Sequence, residues 1–264
     1  MKIHIIIYNT FNDTVAFEIE RKMDKEKIRL YEESQALVVK DNLFLRQSRA
    51  ELSVVEQKLI IYLISKVNAD DTSVKPVNIS IKDFCNLTGI EAKGNNYAKV
   101  RDSIRSLKQK SWWIELDENR DLLYSWLDYA IISKNTGNIE IALSQYLTPY
   151  IIQLKSNFTK YRLSEILHLK SKHSIKLYEL CASVLYKGIH RTSLNDLKHY
   201  LGIDGKYNDY RDFRKSVLEP AIKDINKNTC LFVSYEAIKT NKKVDEIILN
   251  VNEAMGYQTT WIEE

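Results

Sequence analysis

Glycine and proline are scarce, at 7 and 3 positions of 264. A chain so poor in residues that break helices and bend loops is expected to run in long helices with few long connections. Cysteine is equally sparse. Cys85, Cys181 and Cys230 show no C-x-x-C spacing, which argues against a disulfide framework or a zinc site and for a reducing, cytoplasmic setting. No apolar run approaches the roughly 18 residues of a membrane span, so no membrane partner is expected. The short stretch Ile5 to Ile7 lacks the core and cleavage site of a secretory signal.

Catalytic motifs are missing too. The five histidines, His4, His168, His173, His190 and His199, never form the His-x-His pair that a metal-dependent nicking enzyme needs beside its tyrosine. Gly89 and Gly94 have the spacing of a phosphate-binding loop, but Asn95 stands where its lysine would be. Asp70 and Asp71 read as a solvated loop. No serine, cysteine or carboxylate constellation suggests hydrolysis. The expectation is a chain that is not an enzyme and needs no cofactor or metal.

What is present is a globular composition, 44% hydrophobic and 28% charged, with a net charge of only +4. Charge placement must therefore carry any argument for nucleic acid. Residues 1–34 look unlike the rest and read as an N-terminal arm, in which Met23 is a candidate alternative start. Val38 to Leu45 reads as a strand. Ser53 and Glu56 make an S-x-x-E capping box, and Val55, Leu59, Tyr62, Leu63 and Val67 recur at helical spacing. Val77 to Ile81 reads as a strand, Lys82 to Leu87 as a short helix ended by Gly89, and Asn96 to Lys110 as a second helix. Trp112 to Leu116 and Leu122 to Ser133 alternate like a hairpin with Asp117 to Asp121 at its turn. Ser144 to Leu154 looks helical despite Pro149, and Ser174 to Tyr186 is a strong amphipathic helix that stops near Gly188.

The pattern then repeats. Ile81 to Ile90 lies over Leu194 to Ile203, an offset of 194 − 81 = 113 residues. At the same offset Asn95 meets Asn208, Tyr97 meets Tyr210, Val100 meets Phe213, Arg101 meets Arg214, Ser103 meets Ser216 and Ile104 meets Val217. So many matches without a gap imply two similar units. Each reads as a long helix, a short helix, a glycine turn, a second helix and a hairpin. That order is a winged helix, whose second helix enters the DNA major groove. The expected fold is α+β with two tandem winged-helix domains. The expected boundaries are 35–155 for the first domain and 156–252 for the second, with a tail at 253–264.

In the second copy Lys206, Asn208, Arg211, Arg214 and Lys215 gather at the turn and the start of the second helix. Arg and Lys there can reach guanine acceptors or phosphates, and Asn can read adenine. The second hairpin tip, Lys239 to Lys243, adds Lys239, Lys242 and Lys243 and suits a phosphate backbone. The first copy offers Lys99, Arg101, Arg105 and Lys108, but its expected wing tip is acidic and would repel phosphate. That hairpin is also rich in aromatics, with Trp112, Trp113, Tyr124 and Trp126. Aromatics are enriched at protein interfaces, although such large apolar groups more often fill a core, where they gain most from burial. Module one is thus expected to do more protein–protein work, and module two more sequence reading.

Four stretches resemble one family. Ala36 to Phe44, Leu52 to Ser65, Ser171 to Leu180, and Phe213 to Asn226 followed by Val233 to Tyr235 are similar to the iteron-plasmid replication initiators of the RepA/RepE/π type. The likeness spans roughly residues 36 to 252. It implies a protein that binds repeated double-stranded origin sites, helps open AT-rich DNA and recruits the host replication initiator and replicative helicase. It also implies a monomer–dimer equilibrium, with dimers joined through module one repressing the initiator's own gene. The alternative is a winged-helix transcriptional regulator with no initiation role.

Overall fold

A computed structural model of the chain describes residues 25–47, 52–68, 71–90, 95–133 and 136–254. Met23, Asp70, Gly94, most of the arm and the tail beyond 254 lie outside it, as do the side chains of Trp112 and Trp113. The order begins α1 (Lys25–Ser34), β1 (Leu37–Asp41), α2 (Asn42–Gln47), α3 (Val54–Ile64), β2 (Val77–Ser80), α4 (Ile81–Thr88) and α5 (Asn95–Gln109). It continues β3 (Ser111–Asp117), β4 (Arg120–Ser125), β5 (Leu127–Ile132), β6 (Asn138–Leu143), α6 (Thr148–Ile151), β7 (Phe158–Arg162), α7 (Ser164–Leu167) and α8 (Lys172–Val184). It ends β8 (Ile189–Ser193), α9 (Leu194–Tyr200), α10 (Tyr210–Phe213), a π turn at Arg214–Leu218, α11 (Glu219–Asn228), β9 (Leu231–Thr240) and β10 (Lys243–Glu253).

The result is α+β, with two winged helices built on the same plan. In module one the sheet order is β2-β6-β5, and in module two β8-β10-β9. Ser80 and Ser193, one repeat apart, each cap the following helix by accepting from the amide three residues on. Gly89 and Gly202 end those helices at φ of 69° and 70°, the left-handed region that a Cβ disfavours. Val100 and Ile104 in one module and Phe213 and Val217 in the other fill the same buried positions. The expected capping box is present, with Ser53 accepting from Glu56 N and Glu56 accepting from Ser53 N.

Three elements differ from the sequence reading. Leu122 to Ser133 is not one strand: it breaks at Trp126, which is buried against Phe44 with ring centroids 5.7 Å apart. β3 and β4 form their own two-stranded sheet, while β5 turns away to pair with β6. The wing of module one is therefore β5–β6, and the acidic hairpin is an insertion between the second helix and the wing. Alternation of apolar residues runs through the break, so a period of two cannot reveal it. The strand at Val38 is also cut short, because the Asp41 carboxylate accepts from Leu43 N and Phe44 N and starts α2. The stretch after Ser144 is a single 3-10 turn (Gln145–Leu147) followed by the short α6.

Part of the arm is ordered structure. α1 lies on α4 and α3 through Arg29–Asp83 and Lys82–Glu26, both 2.7 Å, and through Glu33, which accepts from Tyr62 Oη and Lys66 Nζ. The two modules share one apolar core. β1, at the start of the first, pairs with β7, ahead of α8. Lys40 on β1 donates to Glu179 on α8 at 2.6 Å, and Tyr161 Oη donates to the same oxygen.

A second buried lysine ties α3 to the stretch ahead of α8. Lys58 on α3 donates to the Leu167 carbonyl at 2.6 Å. Burial pulls its pKa down to about 8, against the ordinary 10.5, with Asp224 opposing the shift. Below that value the lysine is charged in both folded and unfolded chains, and the folded chain carries the desolvation cost. Above pH 8 the folded chain loses the proton before the unfolded chain does, so this group's contribution to stability rises with pH. The urea midpoint of the wild-type chain is expected to rise relative to Lys58→Met between about pH 8 and pH 10. Parallel midpoints across that range would contradict it.

Candidate nucleic-acid interface

In module two the second helix runs from Tyr210 to Asn228. Asp209 starts it, its carboxylate accepting from Arg211 N at 2.7 Å. Phe213, Val217, Leu218, Ala221, Ile222 and Ile225 form the buried stripe. The opposite face presents Arg211 and Lys215 to solvent, with Arg214 half-buried at the edge. Lys206 and Asn208 are exposed in the turn that leads in. Asn241 and Lys242 at the wing tip have φ of 52° and 69°, a tight turn matched to strand twist. That turn leaves Lys239, Lys242 and Lys243 exposed. All eight module-two candidates thus fall on the turn, the helix face and the wing tip, the three parts by which a winged helix meets DNA.

The helix is not regular. Glu219 N donates to Arg214 O, five residues back. Pro220 gives the reason: it has no N–H for the Ser216 carbonyl, and its ring would press on that carbonyl in a regular α-helix. Widening one turn removes the clash and turns the basic face relative to the buried one.

Module one is built alike but armed differently. Lys99, Arg101, Arg105 and Lys108 are all exposed on α5, away from Val100, Ile104 and Leu107. Arg105 pairs with Asp102 at 2.9 Å. Lys108 donates to the Leu127 carbonyl at 3.1 Å and so leans on the wing strand. Arg101 and Tyr97 line a cleft between α5 and the wing, with Ile132, Ser133, Thr136 and Gly137. The tyrosine packs so closely that a Cβ on Gly137 would come within 3.3 Å of its hydroxyl. The acidic residues that the sequence pattern puts at this wing tip belong to the inserted β3–β4 hairpin.

Sequence reasoning missed Tyr210, Glu219 and Tyr235, which tie the second helix of module two to its wing. Tyr235 Oη donates to Glu219 Oε1 at 3.1 Å and is hydrogen-bonded to Tyr210. The match of Tyr97 with Tyr210 in the repeat was the available signal, since both touch their own wing. Among the described residues no group of three or more His, Cys, Asp or Glu side chains is placed to hold a metal ion. The three cysteines are buried and unpaired. No described helix is long and apolar enough to cross a membrane.

Comparison with known proteins agrees with this architecture. Residues 37–182 match the family described as "Initiator Replication protein, WH1", and residues 193–251 match "Initiator Rep protein, WH2". A "Replication initiation protein" of Escherichia coli is 25% identical over 228 residues, which are 83% of this chain and 70% of that protein. The "PI protein" of Escherichia coli is 29% identical over 164 residues, about half of each chain at 54% and 52%. The crystal structure of a Pi initiator protein in complex with iteron DNA is similar in fold. Its TM-score is 0.72 at 20% identity, covering 84% of this chain and 99% of that one.

Proposed function

The chain belongs to the family of initiator replication proteins, and we propose that it starts plasmid replication by binding repeated origin sites in double-stranded DNA. The observation that carries this reading is that Arg211 and Lys215 on the second helix and Lys239, Lys242 and Lys243 at the wing tip are all exposed, with Arg214 half-buried between helix and wing. The fold likeness to an initiator bound to iteron DNA supports it. Module two makes the main base contacts, and module one adds weaker ones through Lys99 and Arg101. Arg105 and Lys108 are already engaged within the protein and contribute less. In the same reading the bound protein helps open AT-rich DNA and recruits the host initiator and replicative helicase.

Self-association belongs to this proposal. β5 is the outer strand of its sheet and exposes Tyr129 and Ile131, the latter at 57%. Leu123 on the inserted hairpin is exposed as well. An outer strand with apolar side chains is a template for pairing with a second copy, and a lysine placed there opposes pairing. The dimer so formed represses the initiator's own gene. Ile131→Lys is expected to sediment as a monomer at concentrations where wild type is dimeric. A variant that dimerises like wild type would remove β5 from the interface.

The test of initiation itself is replication in trans. An origin fragment on a vector unable to replicate is expected to be maintained only in cells that supply the chain. If the chain binds and represses its promoter but never supports such a vector, it is a winged-helix regulator instead.

A further inference from the structure

An acidic side chain on a face that meets DNA needs a reason, because a carboxylate near phosphates weakens binding. Glu219 is such a residue. It follows the π turn of the second helix in module two, and its side chain is 48% exposed. Its Oε1 lies 3.6 Å from Arg214 Nε and accepts from Tyr235 Oη on β9. The Arg214 Nε atom itself is buried and has no hydrogen-bond partner, although the side chain as a whole is 40% exposed. The base of the guanidinium is thus held in the protein beside a carboxylate while its outer part meets solvent. Tyr235 is in turn hydrogen-bonded to Tyr210 at the start of the same helix. Burial first, and then these partners, push the Tyr235 hydroxyl above its ordinary pKa, so it stays a donor.

The repeat supplies a control within the molecule. Arg101 is the counterpart of Arg214, and Tyr97 that of Tyr210. The offset of 113 sets Ser106 against Glu219 (219 − 113 = 106) and the extra residue of the π turn shifts the match to Arg105; neither is a carboxylate, and the Ser106 hydroxyl is taken up by Glu56. Module one therefore has the arginine and the tyrosine but no carboxylate behind the arginine.

We propose that Glu219 and Tyr235 are positioning residues that hold the Arg214 guanidinium in one orientation, so that module two reads one base pair strictly while module one, lacking the carboxylate, reads loosely. The inference rests on the reading that the Arg214 face meets DNA. Its physical basis is that arginine recognises guanine through a planar, two-pronged contact. A freely rotating guanidinium finds phosphates and wrong bases as readily, whereas one fixed beside a carboxylate loses that freedom before DNA arrives.

The test is selection of binding duplexes from a random-sequence pool by the full chain, comparing wild type with Arg214→Ala, Tyr235→Phe and Glu219→Gln. Arg214→Ala is expected to abolish preference at one base pair. At that same base pair, Tyr235→Phe and Glu219→Gln are expected to weaken the preference by about 3- to 30-fold, below the ceiling of a complete two-pronged contact. The other base pairs keep their preferences. Two results would overturn the proposal while leaving Arg214 as a DNA contact. One is wild-type preference at that base pair in both positioning variants. The other is an even loss of affinity across all duplexes with a lower thermal midpoint, which is the mark of a merely structural role. If Arg214→Ala changes no preference while wild type still selects a sequence, there is nothing to position and the inference falls alone. If wild type selects no sequence, the DNA reading falls and takes the inference with it.

Discussion

Replacing Arg211, Arg214 and Lys215 together by alanine is expected to lower affinity for origin DNA by about 100- to 10,000-fold. Arg211 and Lys215 lie on the side of the second helix opposite Phe213, Val217 and Ile225, and Arg214 lies half-buried at the edge of that side, so none of the three belongs to the buried stripe. On the proposed reading each neutralises a phosphate or contacts a base edge, at about 1–2 kcal/mol apiece. The log–log salt slope is expected to fall by up to about 3, since each lost phosphate contact removes about 0.9. The matching variant of module one, Lys99, Arg101 and Arg105 to alanine, is expected to cost about 10-fold or less. Arg105 is already paired with Asp102, and Arg101 sits in a cleft with no carboxylate to fix it. Titration of labelled duplex with each variant separates the two. Equal losses would mean that the modules share recognition evenly.

The second large effect is on stability. Glu179→Ala is expected to cost about 3–5 kcal/mol, because it leaves the buried ammonium of Lys40 without its counter-charge. Lys40 is 4% exposed. The same change strips the acceptor from Tyr161 Oη, whose pKa burial has already raised, so that it stays a protonated donor. A domain of ordinary stability has about 5–15 kcal/mol in total, so the loss is a large fraction of it. The thermal midpoint should fall by roughly 6–20 °C, at about 2–4 °C per kcal/mol for a chain of this size. Replacing both partners, Lys40→Met with Glu179→Leu, is expected to be neutral or stabilising, because two desolvation costs vanish with the pair. Urea denaturation of the single and double variants checks both. A harmless Glu179→Ala would show that water reaches Lys40. The pair joins β1 to α8.

Much of this was legible in the sequence, and the reasons can be named. The capping box at Ser53, the glycine stops at 89 and 202 and the offset of 113 are local signals, set by backbone chemistry that depends little on distant residues. They located both helix-turn-helix units. The real wing of module one was hidden, because the choice between one strand and two at Trp126 is made by burial against Phe44 from a distant helix. The repeat itself holds the correction. Ile139, Ile141 and Leu143 on β6 match Ile247, Leu249 and Val251 on β10 at an offset of 108 (247 − 139), and all six are buried. The shift from 113 to 108 marks a change of chain length between helix and sheet. The candidate cations were legible because they alternate with a buried stripe. Glu219 was not legible, since its bond to Tyr235 links helix to wing across 16 residues. Lys58 was invisible for a similar reason: nothing in Val54 to Ile64 announces that a carbonyl at Leu167 will meet it.

The most direct measurement is protection of the DNA that surrounds the gene for this chain, by the purified full-length protein at two salt concentrations. Evenly spaced direct repeats should be protected at low salt. Affinity should fall with a log–log slope of roughly −5 to −7 if 6–8 phosphates are neutralised. No protection at low salt, or binding that is indifferent to salt, would contradict the account at its centre.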